Sequence, residues 1–313
     1  MNKRKDIAKL ITRQKREKTI LKMGKIEGIS ASNEKAILVF EPAEEGEGIN
    51  FYVEDIIIAA NFTCIKIDPN KHTTKLEMDK IELEYIEHLM AAIAGLGIDN
   101  LRIYLEKGCQ IPFFDGSSFD YAEKLIGIGI KNQKKRKSVV KICDNYEIKD
   151  EMGGAIRIRK SKDNILTIRA KIQFNPPIGL QFIEYNHSPL SFCLGISWAR
   201  TFGFKEFKDK ETTIGKFPGF WKKIEAGQVF SNMIIYKDEK YITQVHRIDE
   251  PVRHKILDFL GDIKLLGCDL EGEIDLVSSG HKLNHELLNL LSNTDFHSPF
   301  KRHESLDLPT SIT

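Results

Sequence analysis

The chain has 313 residues, enough for one large domain or two of ordinary size, and 41% hydrophobic with 29% charged residues describes a soluble globular protein. A formal net charge of +2 gives no bulk field that would draw it to nucleic acid or a membrane, and no apolar run reaches the roughly 18 residues of a spanning helix. The five cysteines, Cys64, Cys109, Cys143, Cys193 and Cys268, are scattered, odd in number and form no CxxC pair, which argues against a disulfide framework and against a cysteine zinc site.

Residues 1–18 hold eight Lys/Arg, two acidic residues and no aromatics, and read as a solvated basic extension. They lack an apolar segment of signal-peptide length, so a cytoplasmic protein is expected. From Thr19 the runs AILVFEP and FYVEDIIIAA predict strands with EEGEG turning between them. In EYIEHLMAAIAGLG, Ile86, Leu89, Met90 and Ile93 fall at helical spacing, and Gly95 and Gly97 suit a C-terminal stop. LRIYLEKG follows as a strand, IPFFDGSS as a turn and FDYAEKLIGIGI as a second helix.

The tract KNQKKRK, residues 131–137, has no apolar residue and is expected to be a linker. Beyond it SVVKICDNYEIKD, GGAIRIRK and NILTIRAKIQF are strand-like, VRHKILDFLGDIKLLG is helical, EIDLVSS is a strand and HKLNHELLNLLSN a last helix. Strands and helices thus recur in one order on both sides of 131–137, without a residue-level repeat. This predicts an α+β protein of two domains of related topology, domain I over 19–130 and domain II over 138–293, with a loosely ordered tail over 294–313.

The chemistry concentrates in VRHKILDFLGD. At 3.6 residues per turn His254, Asp258 and Asp262 share one helix face, with Lys255 turned about 100° away. Such a stripe is either a solvated, salt-bridged face or part of a metal site, since a His and an Asp at i, i+4 reach one ion. A catalytic zinc takes three protein ligands, and His88, preceded by Glu87 at the head of an apolar helix, is a candidate third. There Glu87 is equally explained as a favourable charge at a helix N-terminus. His281, in SSGHKLN, stands where a strand hands over to a helix and is either functional or an ordinary loop residue.

Five collinear segments, EHLMAAIAGLGIDN (87–100), IPFFDGS (111–117), RTFGF (200–204), VRHKILDFLGD (252–262) and SGHKLN (279–284), together resemble the zinc-dependent UDP-3-O-acyl-N-acetylglucosamine deacetylases of lipid A biosynthesis in Gram-negative bacteria. Weaker similarity reaches back to Thr19. The resemblance implies two α+β domains, each a small sheet whose helices pack against those of the other at the interface, a β-α-α-β sandwich with the active site between them. It implies Zn2+ held by His88, His254 and Asp258, with Glu87 as general base, His281 as general acid, Asp262 as the partner of that histidine and Thr201 beside the oxyanion. Phe202 and Lys255 match substrate-contacting positions. The implied substrate is a UDP-linked acylated amino sugar, deacetylated by a monomer that binds no nucleic acid and associates with a membrane at most peripherally. Arg159 or Lys160 are further candidates for the diphosphate, and Phe182 and Trp198 for an acyl passage or for ordinary core.

The chain departs from the family pattern in three places. EGISASNE (27–34) stands where the family has a glycine-leucine-histidine turn, Ser278 where it commonly has a lysine that contacts the diphosphate, and TTIGKFPGFWKK where it has a glycine-rich segment. All three touch substrate binding, not metal or proton transfer. They leave two rivals: a zinc amidohydrolase acting on another N-acetylated sugar, and a non-catalytic paralogue that binds a lipid A precursor. Iron(II) is an alternative occupant of a His-His-Asp site.

Overall fold

The structure is a computed structural model and describes residues 8–66, 73–204, 233–237, 239–241 and 243–292. It is α+β, as expected. One sheet has five strands in the order β2 (Gly24–Ile29), β3 (Lys35–Pro42), β8 (Leu101–Lys107), β4 (Ile49–Val53) and β5 (Ile56–Ala59), antiparallel except for β4 beside β8. A second has seven: β1 (Ala8–Ile20), β9 (Ile130–Ile142), β17 (Asp269–Val277), β11 (Ala155–Arg159) and β10 (Tyr146–Lys149) in a row, with β12 (Leu166–Gln173) parallel to β17 and β13 (Leu180–Asn186) beside β12. The hairpin β6 (Lys75–Met78) and β7 (Ile81–Glu84) leads into the first helix, and β14 (Phe202–Phe204), β15 (Ile234–Lys237) and β16 (Lys240–Tyr241) form a small third sheet.

The α-helices among the described residues are α1 (Glu87–Leu96), α2 (Phe119–Ile128), α3 (Pro189–Gly195), α4 (Glu250–Lys264) and α5 (His281–Ser292). α1 is buried along its whole length, as its apolar sequence from Leu89 onward requires, and its first turn carries the polar Glu87 and His88 into the interior. It ends at Gly97, whose φ of 70° is the left-handed stop that a glycine permits without strain. α1 packs on α4, and α4 in turn on α5, β12 and β13, so helices from the two halves of the chain meet face to face. The contact is close because Gly261 has no side chain: a Cβ there would lie 2.1 Å from the Glu87 carbonyl oxygen. Apolar residues of both halves, among them Phe40, Phe51, Met90, Phe192, Phe259 and Leu287, join in one continuous core.

Two expectations fail here. Residues 131–137 are not a connector but the first half of β9, and most of the expected N-terminal extension is β1, paired antiparallel with it. Their charge conceals strands because the long cationic side chains find carboxylates at the ribbon's margins. Arg13 pairs with Glu271, Lys135 with Glu17, and the buried Lys137 with Asp99 and Asp269. The chain therefore passes from its first half to its second as one strand of a ribbon. Residues 1–7 and the expected tail, 294–313, lie outside the described residues.

Candidate active site

The α1–α4 contact sets the site. The first turn of α1 presents Glu87 and His88, the exposed-looking stripe of α4 presents His254, Asp258 and Asp262 inward, and the start of α5 supplies His281; all but His281 are almost wholly buried. The ligand atoms of His88, His254 and Asp258 all lie within 4.8 Å of one another. Asp258 Oδ1 is 3.1 Å from His254 Nε2 and 4.0 Å from His88 Nε2. The stripe is thus a cluster and not a solvated face.

The donor set suits a divalent cation. His254 Nδ1 lies 3.0 Å from the Ala199 carbonyl oxygen, which can only accept, so Nδ1 donates there and Nε2 faces the cluster. Burial, then His254 alongside, pushes the His88 imidazole down to about 3, so it is neutral as a ligand must be. Burial opposes ionisation of Asp258, but His254 and Lys255 outweigh it and hold its carboxyl well below the usual range. Asp258 Oδ1 is buried without a hydrogen-bond partner among the described residues. A buried carboxylate oxygen left in that state is costly, and a cation between the two imidazoles satisfies it. The other oxygen, Oδ2, accepts from Lys255 Nζ at 3.1 Å.

A second cluster adjoins the first. His281 Nδ1 is 2.7 Å from Asp262 Oδ2, which also accepts from Asn284 Nδ2 at 2.8 Å. Burial lowers His281, but Asp262 more than reverses it and the imidazole is pushed up to about 9. Asp262 in return stays well below the usual carboxylate range despite burial, because of His281. Across from this pair Glu87 is pushed up to about 7, first by burial and against the pull of His281. The arrangement keeps a carboxyl that ionises near neutrality beside an imidazolium that persists to higher pH.

The remaining expected residues stand at the margin. The Phe202 ring centre is 6.2 Å from that of His254, and Lys255 Nζ is 5.4 Å from the centre of the Phe202 ring. Thr201 donates its N–H to the Gly116 carbonyl and packs its methyl over Gly116, which ties RTFGF to IPFFDGS. That segment is fixed to α4 by the buried Arg200–Glu250 pair, with Arg200 Nε 2.9 Å from Glu250 Oε1. Arg159 is taken up by Asp275 through both of its terminal nitrogens, Phe182 is exposed, and Trp198 donates to the Leu194 carbonyl under Arg253. EGISASNE forms the end of β2 and the turn into β3, Ser278 has a φ of 43° at the end of β17, and TTIGKFPGFWKK lies outside the described residues.

Sequence reasoning missed Thr73, Thr74, Asn284, His285 and the Arg200–Glu250 pair. His285 carried a signal, since it follows His281 at a helical step of four. The two threonines carried none, because nothing local distinguishes them from other strand-flanking residues.

A family model described as UDP-3-O-acyl N-acetylglycosamine deacetylase matches residues 17–293. The UDP-3-O-acyl-N-acetylglucosamine deacetylase of a Nitratiruptor species is 32% identical over 276 residues, covering 87% of this chain and 89% of that protein. The protein of the same name from Nautilia profundicola is 34% identical over 267 residues, 84% of this chain and 87% of the relative. That from Campylobacter lari is 34% identical over 271 residues, 86% and 89%.

Proposed function

The chain belongs to the UDP-3-O-acyl N-acetylglycosamine deacetylase family, and from that premise we propose that it hydrolyses the acetamide of UDP-3-O-acyl-N-acetylglucosamine, releasing acetate and UDP-3-O-acyl-glucosamine for lipid A biosynthesis. The observation that carries the reading is the buried Asp258 Oδ1, without a hydrogen-bond partner among the described residues, facing the imidazoles of His88 and His254, with Glu87 and His281 beside it. Two nitrogens and one carboxylate suit Zn2+, held by His88, His254 and Asp258. When bound, the cation supplies Lewis acidity, acidifying water and polarising the amide carbonyl.

The chain's own residues manage the protons. Glu87, with a carboxyl that ionises near neutrality, takes the proton of the attacking water. The departing amine is a poor leaving group as an anion, so it needs a proton from nearby. His281 holds one at Nε2, the ring nitrogen not engaged by Asp262, and donates it to the amide nitrogen. Asp262 orients the ring and stabilises its charge. Thr201 stands beside the oxyanion, Phe202 bounds the sugar and Lys255 serves the substrate from the edge, where its present partner is Asp258. No helix of the described residues is long and apolar enough to cross a membrane, and our reading places the enzyme in the cytoplasm as a monomer.

Ser278 and the EGISASNE turn, which replace the family's lysine and histidine, favour a second reading in which the same chemistry serves another N-acetylated amino sugar. Both readings are tested by incubating the Zn2+-loaded protein with UDP-3-O-acyl-N-acetylglucosamine, and in parallel with UDP-N-acetylglucosamine, while following acetate. Release from the acylated substrate that disappears in His254→Ala, together with loss of bound zinc, is the expected result. Release from the unacylated sugar alone transfers the assignment to the second reading.

A further inference from the structure

We infer that the Thr73–Thr74 dipeptide, backed by His285, is the positioning element that holds both proton-transfer groups of the site, Glu87 on α1 and the Asp262–His281 pair between α4 and α5, in fixed relation. This rests on the roles proposed above for Glu87 and His281. The dipeptide is buried just ahead of β6.

The hydrogen atoms can be assigned by counting. A threonine hydroxyl has one proton to give, and an ionised carboxylate can only accept. Thr73 Oγ1 lies 2.8 Å from Glu87 Oε1 and 3.0 Å from Oε2, and it accepts the Tyr85 N–H at 3.1 Å, so its own proton belongs to Glu87. The Thr74 N–H donates to Glu87 Oε2 at 3.1 Å. The Thr74 hydroxyl turns the other way and donates in a short hydrogen bond to Asp262 Oδ1. With that proton spent, the 3.0 Å contact between Thr74 Oγ1 and His285 Nε2 requires the imidazole to be the donor. His281 Nδ1, though 3.2 Å from the same hydroxyl, is closer to Asp262 Oδ2 and donates there.

The contacts His285–Thr74–Asp262–His281 thereby form one consistent run of donors and acceptors. Asp262 is held by three residues from two segments, by Thr74 through Oδ1 and by His281 and Asn284 of α5 through Oδ2. The Glu87 carboxylate is held by Thr73 and by the N–H of Thr74, the residue whose hydroxyl holds Asp262. One dipeptide therefore sets the separation of the group that removes a proton from the group that returns one. Such a setting matters because proton transfer is steep in distance and angle.

Thr73→Val and Thr74→Val keep the side-chain shape and remove the hydroxyl; Thr73→Ser and Thr74→Ser keep the hydroxyl. His285→Leu removes the donor behind Thr74, and His285→Gln keeps one. The experiment measures kcat and KM for acetate release by the full-length, Zn2+-loaded variants. It also records, without substrate, the downfield imidazole N–H proton resonance that His281→Ala abolishes. We expect each valine variant to lower kcat about tenfold, the worth of one hydrogen bond to a charged group, and His285→Leu, which loses a bond to a neutral hydroxyl, to lower it about fivefold, with KM and zinc content unchanged. Serine and glutamine should restore kcat, and the resonance should move in Thr74→Val and His285→Leu. Folded valine variants with kcat within about twofold of the parent, or an unmoved resonance, overturn the inference. If Thr74→Val does not fold, His285→Leu carries the test on the same two readouts. A parent protein without acetate release sinks the deacetylase reading, and the resonance then decides this one alone.

Discussion

Glu87 and His281 owe their opposite tuning to what surrounds each. Burial raises Glu87 to about 7, while Asp262 overrides burial at His281 and raises it to about 9. In the proposed reaction the first must be ionised and the second protonated. kcat/KM should therefore rise through the Glu87 value and fall through the His281 value, a bell whose limbs a bound cation draws downward by its charge. Glu87→Gln should cost about a hundredfold or more in kcat while leaving zinc bound. The same shift at His281 is a stability term. Its folded value lies above its ordinary 6.5, so the contribution is fully present below 6.5 and is lost as pH rises through about 9. Urea denaturation at pH 6 and pH 10 should show the parent losing this advantage at the higher pH, and Asp262→Asn having little to lose. A profile without an alkaline limb would remove His281 from the acid's role. Of these residues, His254, Asp258 and Asp262 were legible as a stripe at steps of four, and His88 as a histidine at a helix head. Their tuning was not legible, because it depends on burial and on partners from other segments.

At the scale of elements, α1 and α4 are the frame of the site, and Gly261 is where they touch. Gly261→Ala places a methyl 2.1 Å from the Glu87 carbonyl oxygen, a backbone atom that cannot rotate aside. The helices must separate, carrying Glu87 and His88 away from Asp258 and Asp262. We expect a loss of about 1–3 kcal/mol in urea denaturation and weaker zinc retention on dialysis. Unchanged stability would mean that the helices slide apart without cost. Both helices were legible, because apolar residues at helical spacing and a glycine stop are local properties. β1 and β9 were not legible. Eleven Lys/Arg in two strands give a solvated composition, and only the neighbours that pair with them, Glu271, Glu17, Asp99 and Asp269, make a strand of such a sequence stable.

The whole molecule is joined by that ribbon as well as by the helix contact. β1 pairs with β9 from Ala8↔Ile142 to Ile20↔Ile130, spanning the passage between the two halves. Removing residues 1–18 should therefore strip β9 of the longer of its two partners, expose Glu271 and Glu17's neighbours, and lower Tm sharply, with acetate release falling in step. Had these residues been the solvated extension that their composition suggests, truncation would leave Tm unchanged. Thermal unfolding of the truncated and full chains distinguishes the two.

Sequence alone determined the α+β class, the two chemistry-bearing helices, the candidate ligands His88, His254 and Asp258, and the five segments that mark the family. These are readable because helical period, glycine stops and side-chain chemistry are carried within a few residues. Tertiary structure decided which face of VRHKILDFLGD is buried, which carboxyl ionises near neutrality, that charged tracts are strands, and that Thr74 reaches Asp262 across 188 positions of chain. Each of these follows from desolvation and from hydrogen bonds between distant segments, and neither exists until the chain has folded.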